Sequence, residues 1–130
     1  MRLAWLQTVL RLRARADGLG LLLNTVPEGI LGSGIPQVTV VHDVVPLSFP
    51  GEYPRQQYYF RFFVPRILRA SRIVVADSES TRRSIVQHYR LPPEKVRVIQ
   101  PGYDPEVFFY NGFDPFSAPS EEPYLLYVGN

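Results

Sequence analysis

Four short apolar runs recur in the first 100 residues, and polar or glycine-rich segments separate them. They span residues 21–23, 38–42, 73–76 and 96–99. Rows of Val, Ile and Leu without polar alternation are typical of strands buried on both faces, as in a parallel sheet that helices cover. The pattern therefore predicts four buried strands.

Helical spacing of apolar residues precedes and separates these runs. The predicted helices span residues 1–12, 55–70 and 81–89. In the second helix the residues expected to face the core are Tyr59, Phe63, Ile67 and Ala70. Pro65 falls on the opposite, polar stripe with Arg61 and Arg69. Because proline removes a backbone N–H, we expect a bend there, with water hydrating the freed carbonyl of Arg61.

Strands that alternate with helices at this spacing indicate right-handed βαβ crossovers. The predicted fold class is therefore α/β, a Rossmann-like parallel sheet with flanking helices. The third helix follows a polar segment in which Ser78 or Ser80 is a candidate N-cap.

The character of the chain changes after residue 103. Residues 104–123 contain four prolines, an acidic surplus and no clear periodicity, which is typical of an extended linker. Residues 124–130 again have the composition of a buried strand, but no helix follows that would cover it. Such a strand must join the first sheet or belong to a second domain.

Composition narrows the candidate chemistry. The chain has no cysteine, which excludes disulfides and thiolate catalysis, and its two histidines are too few for a histidine-rich metal site. No apolar segment approaches the roughly 20 residues of a membrane span. The apolar part of residues 1–12 is interrupted by Gln7 and followed by arginines, unlike a signal peptide. We therefore expect a cytoplasmic protein.

The charge is uneven along the chain. Residues 1–100 carry all 14 basic residues and seven acidic ones, whereas residues 101–130 carry five acidic residues and no base. Thirteen of the bases are arginine, whose planar guanidinium suits carboxylate and phosphate groups. This pattern is consistent with an anionic ligand or with peripheral contact at the inner face of a membrane. Solvated helix faces are the other explanation.

Polar side chains stand where two of the predicted strands end. His42 and Asp43 close the second run, and Ser78 and Glu79 follow the third. Ligands bind at the carboxyl edge of an open parallel sheet because the loops diverge there. Each residue type also has a structural explanation: a histidine held by hydrogen bonds, an aspartate that caps its own loop, and a serine that caps the next helix. We expect no metal at this edge.

Four motifs in this order resemble those of the group 1 (family 4) retaining glycosyltransferases. They are residues 40–43 with Pro46 and Pro50, residues 73–80 with Arg82 and Arg83, residues 96–104 with Phe108, and residues 124–130. The resemblance covers nearly the whole chain. It implies a GT-B fold, in which one Rossmann-like domain holds the acceptor and a second holds the nucleotide-sugar donor.

By this resemblance the chain divides into three parts. Residues 1–103 are a partial acceptor-side domain, residues 104–123 the interdomain linker, and residues 124–130 the first strand of a donor-binding domain. The family's glycine-rich loop and its donor half with a glutamate pair have no counterpart here. We therefore expect this chain alone to be inactive.

The resemblance also implies roles for the polar residues at the sheet edge. His42 would lie against the transferred sugar near its anomeric carbon, where an imidazole bonds to a sugar hydroxyl or a donor phosphate without a metal. Asp43 would orient His42 or its loop, and Ser78 and Glu79 would contact substrate. No cofactor is expected beyond the nucleotide-diphosphate sugar, which is a co-substrate.

The predicted function is retaining transfer of a hexose from a nucleotide-diphosphate sugar to a glycan or lipid-linked acceptor. The alternative is a non-catalytic half-domain that binds a sugar or nucleotide and needs a partner chain, since an open sheet edge invites self-association. A nucleic-acid binder is a third class. Its bases would be clustered, whereas those of this chain are dispersed, so we expect no nucleic-acid partner.

Overall fold

The computed structural model describes residues 2–108 and Tyr127. At its centre is a four-stranded parallel sheet in the order β1-β2-β3-β4. The strands are β1 Leu22–Asn24, β2 Gln37–Val41, β3 Ile73–Ala76 and β4 Val96–Val98. All four predicted strands are present, and their ends lie at most one residue from the prediction. The Rossmann-like α/β fold class is confirmed.

Helices precede β1 and connect β2 to β3 and β3 to β4, whereas a loop without a helix joins β1 to β2. In chain order they are α1 Arg2–Trp5, a π-helical turn Leu6–Leu10, α2 Arg11–Ala16, α3 Val45–Ser48, α4 Gln56–Phe62, α5 Val64–Ala70, α6 Glu79–Tyr89 and a 3-10 turn Pro93–Lys95. The first three follow one another directly, so the opening helix is longer than predicted. None of the helices in the described residues has the length and apolar character that crossing a membrane requires.

The helix predicted over residues 55–70 is two helices that meet at Phe63. The single bent helix that the sequence predicts is therefore divided in two, and Pro65 does not face water, because it is buried in the first turn of α5. Proline is tolerated there since an N–H in a first turn has no helical partner. The buried face is not the predicted one, since Phe63 and Ala70 are exposed instead of buried. The buried residues of α5 are Val64, Pro65, Ile67 and Leu68.

The main core lies between the sheet and helices α5 and α6. Its buried members are Val41, Val44, Val64, Leu68, Val74, Ala76, Ile85, Tyr89, Leu91 and Val96. Tyr89 is only 4% exposed, and its hydroxyl has no hydrogen-bond partner among the described atoms. Burial, and to a lesser extent Tyr59, raises the pKa of this phenol above its usual value. Tyr89 therefore acts as a neutral core residue that fixes the end of α6.

A chain of buried hydrogen bonds ties the sheet to α5. Asn24 Nδ2 donates to Thr39 Oγ1 at 3.0 Å, and Thr39 Oγ1 lies 2.8 Å from Ser71 Oγ. Because the Ser71 hydroxyl donates its one proton to the carbonyl of Ile67, Thr39 must be the donor to Ser71. Each buried hydroxyl is thus satisfied, which explains how a threonine is accommodated within the apolar strand β2.

The opposite face of the sheet is less covered than the strand sequences predict. Val38 and Val40 in β2 and Val75 in β3 point away from the main core and are only partly buried. The prediction that β2 and β3 are fully buried on both faces is therefore wrong. Within residues 2–108, the helices that complete the core cover one face of the sheet.

The predicted linker and last strand fall mostly beyond the described residues. Residues 105–107 form a turn in which Asp104 Oδ1 accepts the N–H of Glu106 at 2.9 Å. The rest of the predicted linker 104–123, and the predicted strand 124–130 apart from Tyr127, lie outside the part that the structure describes.

Candidate functional site

His42 is the first residue after β2, at the carboxyl edge of the sheet. Its Nε2 lies 3.0 Å from the carbonyl oxygen of Thr25, and its Nδ1 lies 3.4 Å from Asp77 Oδ2. The side chain is 57% exposed, so the ring is held from two sides and still presents its remaining surface to solvent. A ring fixed in this way is available to a ligand in one orientation.

Both partners of the His42 ring are hydrogen-bond acceptors. A backbone carbonyl only accepts, so the proton must be on Nε2. A carboxylate also only accepts, so Nδ1 meets Asp77 favourably when it too carries a proton. The ring is therefore oriented by an acceptor on each side, a backbone carbonyl and a carboxylate.

Asp77 is held in turn by Thr81. The Thr81 hydroxyl lies 3.1 Å from Asp77 Oδ1 and 3.1 Å from the carbonyl oxygen of His42, and it accepts a hydrogen bond from Ser78 Oγ at 3.0 Å. One hydroxyl proton serves the two acceptors alternately. The start of α6 is thereby linked to the backbone of His42 and to Asp77, which is the partner of the His42 side chain.

Asp43 serves its own loop. Its Oδ1 accepts the N–H of Val45 at 3.0 Å. Asp43 thus caps its own loop, which is the structural explanation offered for it from the sequence. Among the described atoms no hydrogen bond joins Asp43 to His42, and the carboxylate beside the ring is that of Asp77. The sheet register explains this: Val41 pairs with Ala76, so the next residues of the two strands, His42 and Asp77, emerge side by side.

Ser78 and Glu79 lie at the start of α6. Ser78 is the N-cap, and its Oγ accepts the N–H of Thr81 at 3.1 Å. Glu79 is exposed and pairs with Arg82, with 2.9 Å between Oε1 and Nη1. Ser78 is therefore connected to the His42 site through Thr81, whereas the described contacts of Glu79 stay within α6.

The four-stranded parallel sheet carries polar groups at its carboxyl edge. The sequence was also compared with models of known protein families, and one of them matches. The family model described as Glycosyltransferase Family 4 matches residues 8–107. The chain belongs to this family. No curated protein matches the chain. The matched segment includes all four strands and every candidate residue of the site, so the site lies within the glycosyltransferase family 4 domain.

A hollow of about 420 Å³ lies between the opening helix, the loop after β1 and the start of α4. It is lined by Leu3, Pro27, Glu28, Arg55, Gln56, Tyr59 and Phe60. Tyr59 donates its hydroxyl to the carbonyl of Pro27 at 2.9 Å, and its ring stacks on Phe63 with centroids 5.8 Å apart. The aromatic wall is thus fixed by packing, and its loop wall contains the segment that also supplies the Thr25 carbonyl.

The described residues contain no group of three or more His, Cys, Asp or Glu side chains able to hold a metal ion. The contacts of His42 that sequence reasoning missed are those with Thr25 and Asp77. Asp77 was visible as a carboxylate at the end of a strand, but its partner depends on the register of β2 and β3. The Thr25 contact is made by a backbone carbonyl, for which the side-chain pattern carries no signal.

Replacing Ser78 with alanine is expected to lower the free energy of unfolding by about 1 kcal/mol, because α6 loses its N-cap hydrogen bond. Urea denaturation measures the change. Ser80→Ala is the matched control, since Ser80 is exposed inside the helix and makes no side-chain hydrogen bond with described residues. An equal loss in both variants would contradict the capping role. Ser78→Asp keeps a cap and should restore stability.

Proposed function

We propose that this glycosyltransferase family 4 domain is the acceptor side of an enzyme that transfers a hexose from a nucleotide-diphosphate sugar to a glycan or lipid-linked acceptor. The anomeric configuration is retained in this proposal, as the resemblance to the retaining group implies. The observation that carries it is His42, held by two acceptors at the carboxyl edge of the sheet with more than half of its side chain open.

In this proposal Nδ1 of His42 exchanges its long contact with Asp77, at 3.4 Å, for a hydrogen bond to a hydroxyl of the transferred sugar or to a phosphate oxygen of the donor, while Nε2 stays on the Thr25 carbonyl. Asp77 and the carbonyl of Thr25 are positioning groups, because they act on the sugar only by orienting the ring. A prepositioned donor stabilises charge that develops on the leaving diphosphate without first having to reorient. The nucleotide sugar is a co-substrate, and no further cofactor takes part.

The hollow between Pro27 and Tyr59 is the proposed place for part of the acceptor. Tyr59 and Phe60 offer an aromatic wall on which a sugar ring can pack, and Arg55 and Gln56 offer donors for its hydroxyls. Residues 104–123 and 124–130 would then lead to a donor-binding domain, which carries the nucleotide.

A non-catalytic half-domain that works with a partner chain is the second candidate. The open edge of β1 favours it, because Leu21 and Leu23 there are 56% and 64% exposed and in the described sheet only β2 pairs with this strand. An unpaired edge with apolar side chains is a template for another chain. Sedimentation of the purified chain distinguishes the two, since a stable monomer argues against dependence on a partner.

The test of the proposed function is transfer of radiolabelled hexose. The complete enzyme, in which a donor-binding domain accompanies this one, is incubated with each of a panel of nucleotide-diphosphate hexoses, together with a lipid extract or an oligosaccharide acceptor. We expect label in the acceptor, with the donor's anomeric configuration kept in the product as seen by NMR. If no donor supports transfer while the same sugars shift the His42 ring signals, the chain is the binding half-domain and the transferase proposal is wrong.

A further inference from the structure

A second hollow, away from His42, lies between helices α5 and α6. Its volume is about 420 Å³, and its lining residues are Leu47, Arg61, Pro65, Arg69, His88 and Tyr89. None of the residues assigned to the proposed transfer reaction lines it. Three of the six residues have basic side chains, and no acidic residue is among them.

The basic groups of this hollow are without counter-ions in the described part of the chain. Within residues 2–108, no carboxylate lies within ion-pair distance of Arg61, Arg69 or His88. Other arginines of the domain do have such partners, as Arg82 does in Glu79. Like charges gathered around one concavity raise its positive potential, and low-dielectric walls strengthen that potential further.

The fold fixes the position of these groups. Pro65 and Arg69 lie four residues apart on α5, and Arg61 lies in the last turn of α4; Pro65 is buried, whereas both arginines are exposed at the rim of the hollow. Arg69 donates from Nη2 to the carbonyl of Tyr89 at 3.2 Å, which holds its guanidinium at the end of α6. Lys95 Nζ donates to the Arg69 carbonyl at 2.6 Å and secures the end of α5.

We propose that this hollow binds a phosphate or diphosphate group. Each guanidinium offers planar, paired N–H donors that match two oxygens of a phosphate, and the His88 imidazole adds an N–H donor from the opposite helix. Donors that converge from two helices suit a tetrahedral anion with several oxygens better than a planar carboxylate, which one guanidinium already saturates. Leu47 and Pro65 supply an apolar wall that excludes water from one side of the anion.

The phosphate group can belong to a soluble phosphate ester or to a lipid headgroup, and both share this chemistry. Phe62 and Phe63, beside Arg61 in the chain, are 50% and 42% exposed. These exposed rings could contact the apolar part of a lipid surface if the phosphate belongs to a headgroup, and they face water if it belongs to a soluble ester. The experiment therefore has one arm for each source.

The test uses the isotopically labelled full chain and follows the side-chain Nε–H signals of Arg61 and Arg69 by NMR. In one arm inorganic pyrophosphate is added, and in the other phosphatidylcholine vesicles with or without phosphatidic acid. We expect saturable shifts at both arginines in at least one arm. Arg61→Gln should weaken that binding about 10-fold or more, because one charge-assisted contact is lost.

Arg83→Gln is the matched control. Arg83 is exposed on α6 and does not line the hollow, so the same change of charge there should alter the affinity by less than about two-fold. Response to pyrophosphate identifies a soluble ester, and response only to phosphatidic acid identifies a headgroup. No shift in either arm, or equal weakening by both substitutions, would overturn the proposal. Amide signal dispersion of each variant verifies that it is folded.

Discussion

Replacing His42 with alanine in the complete enzyme is expected to lower the turnover of hexose transfer about 10²–10³-fold, the loss that follows removal of one prepositioned donor from a site of developing negative charge. Stability should change little. The side chain is 57% exposed, and its described hydrogen bonds are one to a backbone carbonyl and a longer one to Asp77. We therefore expect the free energy of unfolding to fall by no more than about 1 kcal/mol.

Initial rates at saturating donor and acceptor measure the turnover of this variant, and urea denaturation measures its stability. His42→Asn is a second variant, because its amide keeps an N–H donor on a shorter side chain and should recover part of the rate. Gln87→Ala is the control, since Gln87 is an exposed polar residue of α6 that makes no described side-chain contact. Wild-type turnover in His42→Ala would remove the residue from the site.

The order of strands and helices was predictable because each strand of this sheet is a short, unbroken apolar run. Val74 and Ala76 enter the core from one such run, and the polar segment from Asp77 to Ser80 marks where it ends. Parallel pairing of β2, β3 and β4 then follows from the helices between them, and β1 and β2 are joined by a loop that is too long for a tight hairpin. The carboxyl edge of the sheet, and His42 on it, follow from the same pattern.

The buried face of the helix over residues 55–70 was not predictable in the same way. Apolar residues line two adjacent stripes of this segment, one through Phe63 and one through Val64. The structure buries Val64 together with Pro65 and Leu68 and leaves Phe63 exposed. A local pattern cannot show which stripe faces the core, since packing against the sheet and α6 decides it.

The partner of His42 required information that no single segment contains. Asp43 is its neighbour in sequence, but consecutive residues at the end of a strand point to opposite sides. Asp77 is its neighbour across the sheet because Val41 and Ala76 are in register. Register is a property of two strands together, so the pairing of His42 with Asp77 emerges only when both are placed.

The loop that supplies the Thr25 carbonyl is fixed by two glutamine side chains. Gln37 is 2% exposed, and its amide donates to the carbonyl of Ile30 at 2.6 Å and accepts the N–H of Ile30 at 2.8 Å. Gln7 approaches from the opening helix, donating to the carbonyl of Gly29 at 2.8 Å and accepting the N–H of Leu31 at 2.9 Å. The loop backbone is thereby hydrogen-bonded from both sides.

Gly29→Ala is expected to lower the free energy of unfolding by about 2–4 kcal/mol, because a Cβ at this position overpacks the cluster and breaks its hydrogen bonds. The new atom would lie 2.8 Å from Gln37 Oε1, 2.8 Å from Ile67 Cγ2 and 2.9 Å from Asn24 Nδ2. Gln37 and Ile67 are both buried, so neither can move aside without leaving a polar group unsatisfied or displacing α5.

Gly20→Ala is the matched control for this prediction, because a Cβ there meets no atom within 4 Å. Its effect should stay within about 0.5 kcal/mol. Urea denaturation of the two variants measures the difference, and the His42 ring signals follow the loop, since a displaced Thr25 carbonyl no longer accepts from Nε2. Equal stability of the two variants would mean that the Gln37 cluster relaxes at little cost. The hydrogen bonds around Ile30 would then not be what holds this loop against His42.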